Sequence, residues 1–284
     1  MKLRDRVAIV TGSTRGIGRA IALAMAEQGA DVVVTARTLA ELETTAAMIR
    51  SLGRRALIVQ TDVSRNQEVM AMVHDALGEF GRIDILVNNA GIQAPIGPLW
   101  ENDPDEWLRT ILINLGGVFL CCKAVIPVMI RQGGGKIINL SGGGATSPRP
   151  FFSAYAASKA AIVRLTETLA EEIKQHNIQV NAIAPGPVNT RMTEQVVATG
   201  AAAGERALAE ARRVNEERQR PEAAAELAVF LASGQSDGLT GRLISAVWDD
   251  WRALPFRLDE IMSSDLYTLR RITMTMTASV GGNI

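Results

Sequence analysis

Short, almost unbroken apolar runs at Val7–Val10, Val32–Val34 and Ile83–Val87 alternate with longer stretches in which apolar residues recur at helical spacing. The runs have the length of strands buried on both faces of a parallel sheet. The pattern predicts strands over Val7–Thr11, Val32–Thr35, Ala56–Thr61, Ile85–Asn88, Lys136–Leu140, Gln179–Ala184 and Leu243–Val247. It predicts helices over Gly16–Gln28, Leu39–Ser51, Gln67–Phe80, Pro104–Arg131, Ala154–Gln175 and Pro221–Ala232, with Gly29, Gly53 and Gly81 closing the first three. Strict alternation of strand and helix implies an α/β fold with a doubly wound parallel sheet. Such sheets bind ligands at the carboxyl ends of their strands.

Two segments depart from the alternation. Residues 191–220 are Ala-rich and charged, and lie between the sixth strand and the next helix. They are expected to fold as a helical lid over the mouth of the site, the alternative being a solvated insertion that covers nothing. Residues 252–284 carry Leu266–Ile272 and then a Thr/Met alternation over Thr273–Thr277. This extension reads as an extra helix packing on a neighbour, or, over its last dozen residues, as a disordered end. The expected organisation is one domain over residues 1–251, with 191–220 as its insertion and 252–284 as a C-terminal extension.

Composition acts mainly by exclusion. Lys plus Arg equals Asp plus Glu at 30 each, so no charge surplus directs the chain to nucleic acid or to an anionic membrane. Apolar residues make up 47% of the chain, and no single run reads as long enough to cross a bilayer. The charged start Met1–Arg6 lacks the apolar core of a signal peptide. Cys121 and Cys122 are adjacent, a poor arrangement for pairing with each other, and read as packing residues of a reduced, cytoplasmic protein. His74 and His176 stand alone, so no metal site is expected.

Chemistry enters with two motifs. After the first strand come Gly12, Gly16 and Gly18, within Thr11-Gly12-Ser13-Thr14-Arg15-Gly16-Ile17-Gly18. A tight glycine loop running into a helix lets backbone N–H groups approach a pyrophosphate. The spacing is G-x3-G-x-G rather than G-x-G-x-x-G, and its position between first strand and first helix is what makes it a dinucleotide signal. The second strand ends in Thr35-Ala36-Arg37-Thr38, without the carboxylate that would accept from a ribose 2′-OH. Arg37 and Arg15 suit a 2′-phosphate instead, so NADP(H) is expected in preference to NAD(H); the alternative is that both arginines are plain surface charges.

The second motif is Tyr155-Ala156-Ala157-Ser158-Lys159, with Ser141 upstream. Tyr155 and Lys159 stand one helical turn apart on one face. An ammonium about 5 Å from a phenol, at an effective dielectric of about 20, favours the phenolate by roughly 3 kcal/mol, or about two pKa units. Such a phenol can donate and accept a proton near neutral pH. Beside a dinucleotide, this points to proton transfer coupled to hydride transfer.

With these motifs in this order, the chain resembles the classical short-chain dehydrogenases/reductases over about residues 5–247. The resemblance is carried by the Thr11–Gly18 loop, Asp62-Val63, Asn88-Asn89-Ala90-Gly91, Asn114, Ser141, Tyr155-x3-Lys159 and Pro185-Gly186. It implies a Rossmann-like domain and a set of roles. Tyr155 would be the general acid in reduction and the base in oxidation. Ser141 would hold the substrate oxygen, and Lys159 would lower the Tyr155 pKa and bond the nicotinamide ribose. Asn114 would bind a water linking Lys159 to solvent. Asp62 would accept from the adenine amino group, with Val63 flanking the ring. Asn88, Asn89, Ala90 and Gly91 would line the ribose and hold the sheet. Pro185, Gly186 and Val188 would contact the carboxamide, with Thr190 near the pyrophosphate. Taken singly, Asn114 also reads as a packed polar residue, Ser141 as a strand end and Asp62 as the cap of the helix starting near Asn66.

The chain departs from the family after Gly241, where Trp248 and Trp251 replace the usual ending and more than thirty residues follow. The two rings read as a pocket wall or interface, or equally as core. A substrate pocket is expected around Gly142–Gly144, Arg149, Phe151, Phe152, Gln93 and Met192. Arg149 would grip an anionic or polyhydroxyl group, or pair with a lid carboxylate such as Glu194. The resemblance implies an NADP-dependent oxidoreductase interconverting a carbonyl and a secondary alcohol, 3-oxoacyl thioesters being the family's commonest bacterial substrate. Docking an acidic carrier protein calls for a basic patch at the mouth, for which only Arg131, Lys136, Lys174 and His176 are candidates. A polyol, sugar or cyclic alcohol is therefore an equal alternative. A catalytically silent NADP-binding regulator is the alternative of another class. The family's pairing of the helices near 104–131 and 154–175 implies a homodimer or homotetramer.

Overall fold

The computed structural model of the chain describes residues 1–217 and 219–272. Its centre is a seven-stranded, all-parallel sheet in the order β3-β2-β1-β4-β5-β6-β7. The strands are β1 (Val7–Thr11), β2 (Asp31–Ala36), β3 (Ala56–Gln60), β4 (Ile85–Asn88), β5 (Gly135–Leu140), β6 (Ile178–Ala184) and β7 (Leu243–Ser245). The apolar runs lie inside β1, β2 and β4 because both of their faces are covered. Ala8 and Val10 of β1 point into one core cluster, Val7 and Ile9 into the other.

Helices α1 (Gly16–Glu27), α2 (Leu39–Ser51) and α9 (Glu222–Ala232) cover the first face. Helices α3 (Asn66–Phe80), α5 (Gly117–Gln132) and α6 (Ser153–Glu172) cover the second. The order reverses between β1 and β4, which opens a crevice at the carboxyl end of the sheet.

The predicted helix over Pro104–Arg131 is interrupted. Helix α4 (Pro104–Ile111) passes through a π-helical turn at Leu112–Gly116 before α5 begins. The whole segment Pro104–Gln132 is long and apolar enough, by length and composition, to cross a bilayer, which corrects the sequence reading. Asp105, Glu106, Arg109 and Arg131 lie toward its ends, and Lys123 is the one charge in its apolar middle. Its inner face packs on α3, β4 and β5 and buries Val118, Cys121, Val125 and Met129.

Residues 191–220 form α7 (Arg191–Thr199) and α8 (Glu205–Glu216), which pack on each other. Val196, Ala203 and Ala211 of this hairpin join Phe152 and Tyr155 in one buried cluster. Strand β7 ends at Ser245, short of the predicted Val247. Asp249 Oδ2 takes the Ser245 N–H at 2.6 Å, and Ser245 Oγ takes those of Val247 and Trp248, so the chain turns away. Trp251 is buried against Phe230, its ring centre 5.3 Å away, while Trp248 is exposed. Helix α10 (Leu258–Met262) follows, and Tyr267 O accepts from Leu243 N at 2.8 Å along the outer edge of β7. The Thr273–Thr277 alternation lies outside the described residues.

Candidate active site

The loops after β1 and β4 meet where the sheet order reverses, and side chains of each tie down the backbone of the other. Thr11 Oγ1 accepts from the N–H groups of Asn89 and Ala90 at 3.0 and 3.1 Å and donates to Val87 O at 3.2 Å. Asn89 Nδ2 donates back to Thr11 O at 2.9 Å and to Gly12 O at 3.2 Å. Gly18 lies directly under this knot, where a Cβ would collide with Gly12 O and Asn89 Nδ2. Helix α1 therefore starts close to the loop, and its first N–H groups have no side-chain cap.

A cavity of about 720 Å³ opens in front of these N–H groups. Its wall comprises Gly12, Thr14, Arg15, Gly16, Ile17 and Gly18 from the glycine loop, Arg37 and Glu41 near β2, and Asp62 and Val63 beyond β3. Asn89, Ala90 and Gly91 beyond β4 also line it, with Thr190, Met192 and Glu194 at the start of α7. Several residues assigned to cofactor binding lie outside this wall, Tyr155 and Lys159 among them. Ser13 is fully buried, and its Oγ accepts from Thr35 N at 2.9 Å, so it secures the loop to β2. Pro185, Gly186 and Val188 stand outside this wall at the end of β6, where Gly186 packs against Val247. Asn88 likewise points into the core, donating to Asn139 Oδ1 at 2.9 Å.

Within the wall, Asp62 accepts from Ser64 N at 3.0 Å and Ser64 Oγ at 2.6 Å. Burial pushes its carboxyl up, but the two Ser64 donors with Arg37 and Arg65 outweigh this and hold it below the usual carboxylate range. It does not cap α3, whose N-cap is Arg65. Glu41, which the sequence reading did not single out, pairs with Arg15 at 3.2 Å, whereas Arg37 forms no ion pair among the described residues.

The Tyr155 set lies just beyond Gly91. On α6, Tyr155, Ser158 and Lys159 share a buried face. Lys159 Nζ donates to Leu140 O at 2.7 Å, and Ser141 Oγ donates to Lys159 O at 3.3 Å, so helix and strand end are fastened reciprocally. Asn114 sits in the π turn and pairs with Ile92 in both directions, accepting from its N–H and donating to its carbonyl, each at 2.8 Å. It also donates to Ser158 Oγ at 3.0 Å. Its side chain is thus a clamp between the β4 loop and α6, and no sequence signal marks Ser158 as its partner. A Cβ at Gly91 would stand 3.1 Å from Asn114 Oδ1 and 3.7 Å from Lys159 Nζ, so this glycine lets the cavity wall reach the Tyr155 set. The phenol oxygen of Tyr155 faces Gly142.

Residues 6–201 match the family described as short chain dehydrogenase. The chain belongs to the short-chain dehydrogenase/reductase family.

Among its relatives, a 3-oxoacyl-[acyl-carrier-protein] reductase of Synechocystis is 41% identical over 68% of this chain and 78% of its own. A cis-4-hydroxycyclohexanecarboxylate dehydrogenase of Sinomonas cyclohexanicum is 39% identical over 85% of this chain and 94% of its own. The solved structure of an NAD+-bound xylitol dehydrogenase superposes with a TM-score of 0.81 at 30% identity, covering 86% of this chain and 98% of the other. The NAD(P)(H) that the family uses fits the site. The cavity is dinucleotide-sized, its floor at Gly18 admits no side chain, and the N–H groups of α1 lack a cap.

The electrostatics of this short-chain dehydrogenase differ from the sequence expectation. The Lys159 ammonium is 5.5 Å from the centre of the Tyr155 ring, as the spacing predicts. Yet burial dominates both groups. It pushes the Tyr155 phenol above its ordinary value, and the cation that works against it is Arg149 rather than Lys159. Burial also lowers Lys159 to about 8. The ammonium is directed at Leu140 O, so the predicted lowering of the phenol is corrected. The phenol keeps its proton at neutral pH, the form a proton donor requires.

Lys159 should shed its proton near pH 8, removing a charge that favours the phenolate left after proton donation. Carbonyl reduction is then expected to fall above that pH, by about tenfold per unit. The measurement is kcat/KM from pH 6 to 10 for wild type and Lys159→Arg, whose guanidinium does not titrate there. The same inflection in the variant would remove the assignment.

Proposed function

We propose that this chain is an NADP(H)-dependent reductase of small free ketones, or the dehydrogenase of the corresponding secondary alcohols. The observation that carries the reading is the convergence of Tyr155, Ser141 and Lys159 on the end of β5, one glycine away from a dinucleotide-sized cavity. A nicotinamide bound there would supply or take the hydride at the reacting carbon. Ser141 hydrogen-bonds the substrate oxygen. Tyr155 gives that oxygen its proton in reduction and removes it in oxidation. Lys159 steadies the resulting phenolate by its charge. Asn114 and Gly91 hold the β4 loop against α6 so that cofactor and acid stay in register.

Two observations support a small substrate over a carrier-tethered thioester. Arg131 precedes β5, Lys136 is its second residue, and Lys174 and His176 precede β6, so all four sit at the amino end of the sheet, opposite the site. Lys136 is also buried and held by Asp237 at 2.7 Å. At the other end, the α7–α8 hairpin closes over Phe152 and Tyr155, leaving Tyr155 only 7% exposed. The relative acting on cis-4-hydroxycyclohexanecarboxylate makes a cyclic alcohol a fitting candidate.

The NADP preference rests on Arg37 and Arg15 at the cavity wall and on the absence of a carboxylate at the end of β2; Glu41 opposes it through Arg15. Leu108, Leu112 and Phe119 form an exposed apolar stripe along α4 and α5, and we assign it to pairing with a second copy. The buried thiols Cys121 and Cys122, both pushed far up by burial, suit a reducing cytoplasm.

Tyr155→Phe is expected to lower ketone reduction by about a thousandfold or more, with nucleotide binding retained; oxidation of NADPH with a ketone panel measures it. Near-normal turnover would exclude Tyr155 as the acid. Arg37→Asp should reduce kcat/KM for NADPH by about 10- to 100-fold and spare NADH; intact NADPH use in the variant, or a wild type that prefers NADH, ends the cofactor proposal. Phe119→Glu should convert the assembly to smaller species in sedimentation velocity, and an unchanged mass would place the interface elsewhere.

A further inference from the structure

The loop between β5 and α6 presents a cation that the proton-transfer set does not account for. The guanidinium carbon of Arg149 lies 4.3 Å from the centre of the Phe152 ring and 5.6 Å from that of Tyr155. Phe152 is fully buried, so the guanidinium rests against a ring that is itself closed off from water. No carboxylate pairs with Arg149 among the described residues, and its side chain donates no hydrogen bond to them. The suggested partner Glu194 lies instead in the wall of the dinucleotide cavity.

The position of this cation is fixed. Phe151 O accepts from Gly97 N at 2.9 Å, and the Phe151 ring packs against Gly204 at the foot of α8. Trp107 Nε1 donates to Ser153 Oγ at 3.0 Å and holds the start of α6. Gly142 and Gly143 measure its relation to the chemistry. The Tyr155 hydroxyl faces the first, and an Arg149 Nη atom stands 2.9 Å from where a Cβ of the second would be. The Tyr155 hydroxyl and the guanidinium therefore face consecutive residues of the β5–α6 loop.

A guanidinium half removed from water, held on two rings and lacking a counter-ion favours an anion. A neutral polyol would accept a hydrogen bond there but leave the charge without a counter-ion. We propose that Arg149 binds a carboxylate of the substrate, so that the enzyme selects oxo acids and hydroxy acids whose carboxylate stands about one six-membered ring from the reacting carbon. This rests on the reading of Tyr155 as proton donor and adds the second anchor that orients the ketone.

The test uses the full-length enzyme with NADPH, and two ketones matched in shape: 4-oxocyclohexanecarboxylate and its methyl ester. For wild type, kcat/KM for the acid should exceed that for the ester by about 10- to 100-fold, with the difference in KM. Arg149→Gln should bring the ratio close to one, and Arg149→Lys should restore part of it. A wild-type ratio at or below one, or an unchanged ratio in Arg149→Gln, overturns the proposal. Binding separates this from the fate of the reductase reading. Cyclohexanecarboxylate, which cannot be reduced, should raise the melting temperature of nucleotide-saturated wild type but not of Arg149→Gln. No rise in wild type overturns the carboxylate site even if neutral ketones are turned over. A rise that Arg149→Gln abolishes, with neither ketone turned over, upholds the site and removes the reductase reading.

Discussion

Lys159 buries its ammonium against the carbonyl of Leu140 at 2.7 Å, and the hydroxyl of Ser141 returns a bond to the carbonyl of Lys159. A charge this deep is stable only where a polar partner meets it, and the end of a strand offers a carbonyl that the sheet ladder has not used. The contact fixes the height and rotation of α6 on β5. Tyr155, one turn earlier, then has one place to go: against Gly142, under the α7–α8 hairpin. Displacing the amine would uncouple the helix that carries the acid from the strand that carries the hydroxyl.

Around this pair the site is assembled by reciprocal bonds rather than by single contacts. Asn114 holds Ile92 from both sides, and Thr11 and Asn89 do the same between the β1 and β4 loops. Each of these side chains satisfies backbone groups that a turning loop leaves unpaired. The glycines occur where two such knots come within one carbon atom of each other, at Gly18 and Gly91. The π turn belongs to the same logic. It rotates Asn114 out of helical register and onto the loop it clamps.

The segment after β7 is part of the domain as far as it is described. Arg242 is buried, donating to Ile261 O at 2.8 Å and Ser264 O at 3.2 Å. Glu167 accepts from Leu269 N at 2.7 Å and pairs with Arg270 at 2.9 Å, and Tyr267 bonds the edge of β7. An edge strand of three residues with open N–H groups is a template for unwanted pairing, and this segment covers it. Trp251 takes its place in the core because Phe230 of α9 offers a ring at the right distance.

The sequence alone determined the strand–helix alternation, the position of the glycine loop and the partnership of Tyr155 with Lys159, because each depends on residues close together in the chain. Periodicity, turn chemistry and one-turn spacing are local properties and can be read without a fold. Contacts between distant segments were decided by tertiary structure alone. These include Glu41 on Arg15, Ser158 on Asn114, the burial of Ser13, and the basic residues at the wrong end of the sheet. The Tyr155 pKa is the clearest case. Spacing gave the distance to Lys159, but the balance between that charge, the neighbouring Arg149 and the loss of water depends on everything packed around the phenol. Desolvation is a property of the enclosing surface, and no stretch of the chain carries it by itself.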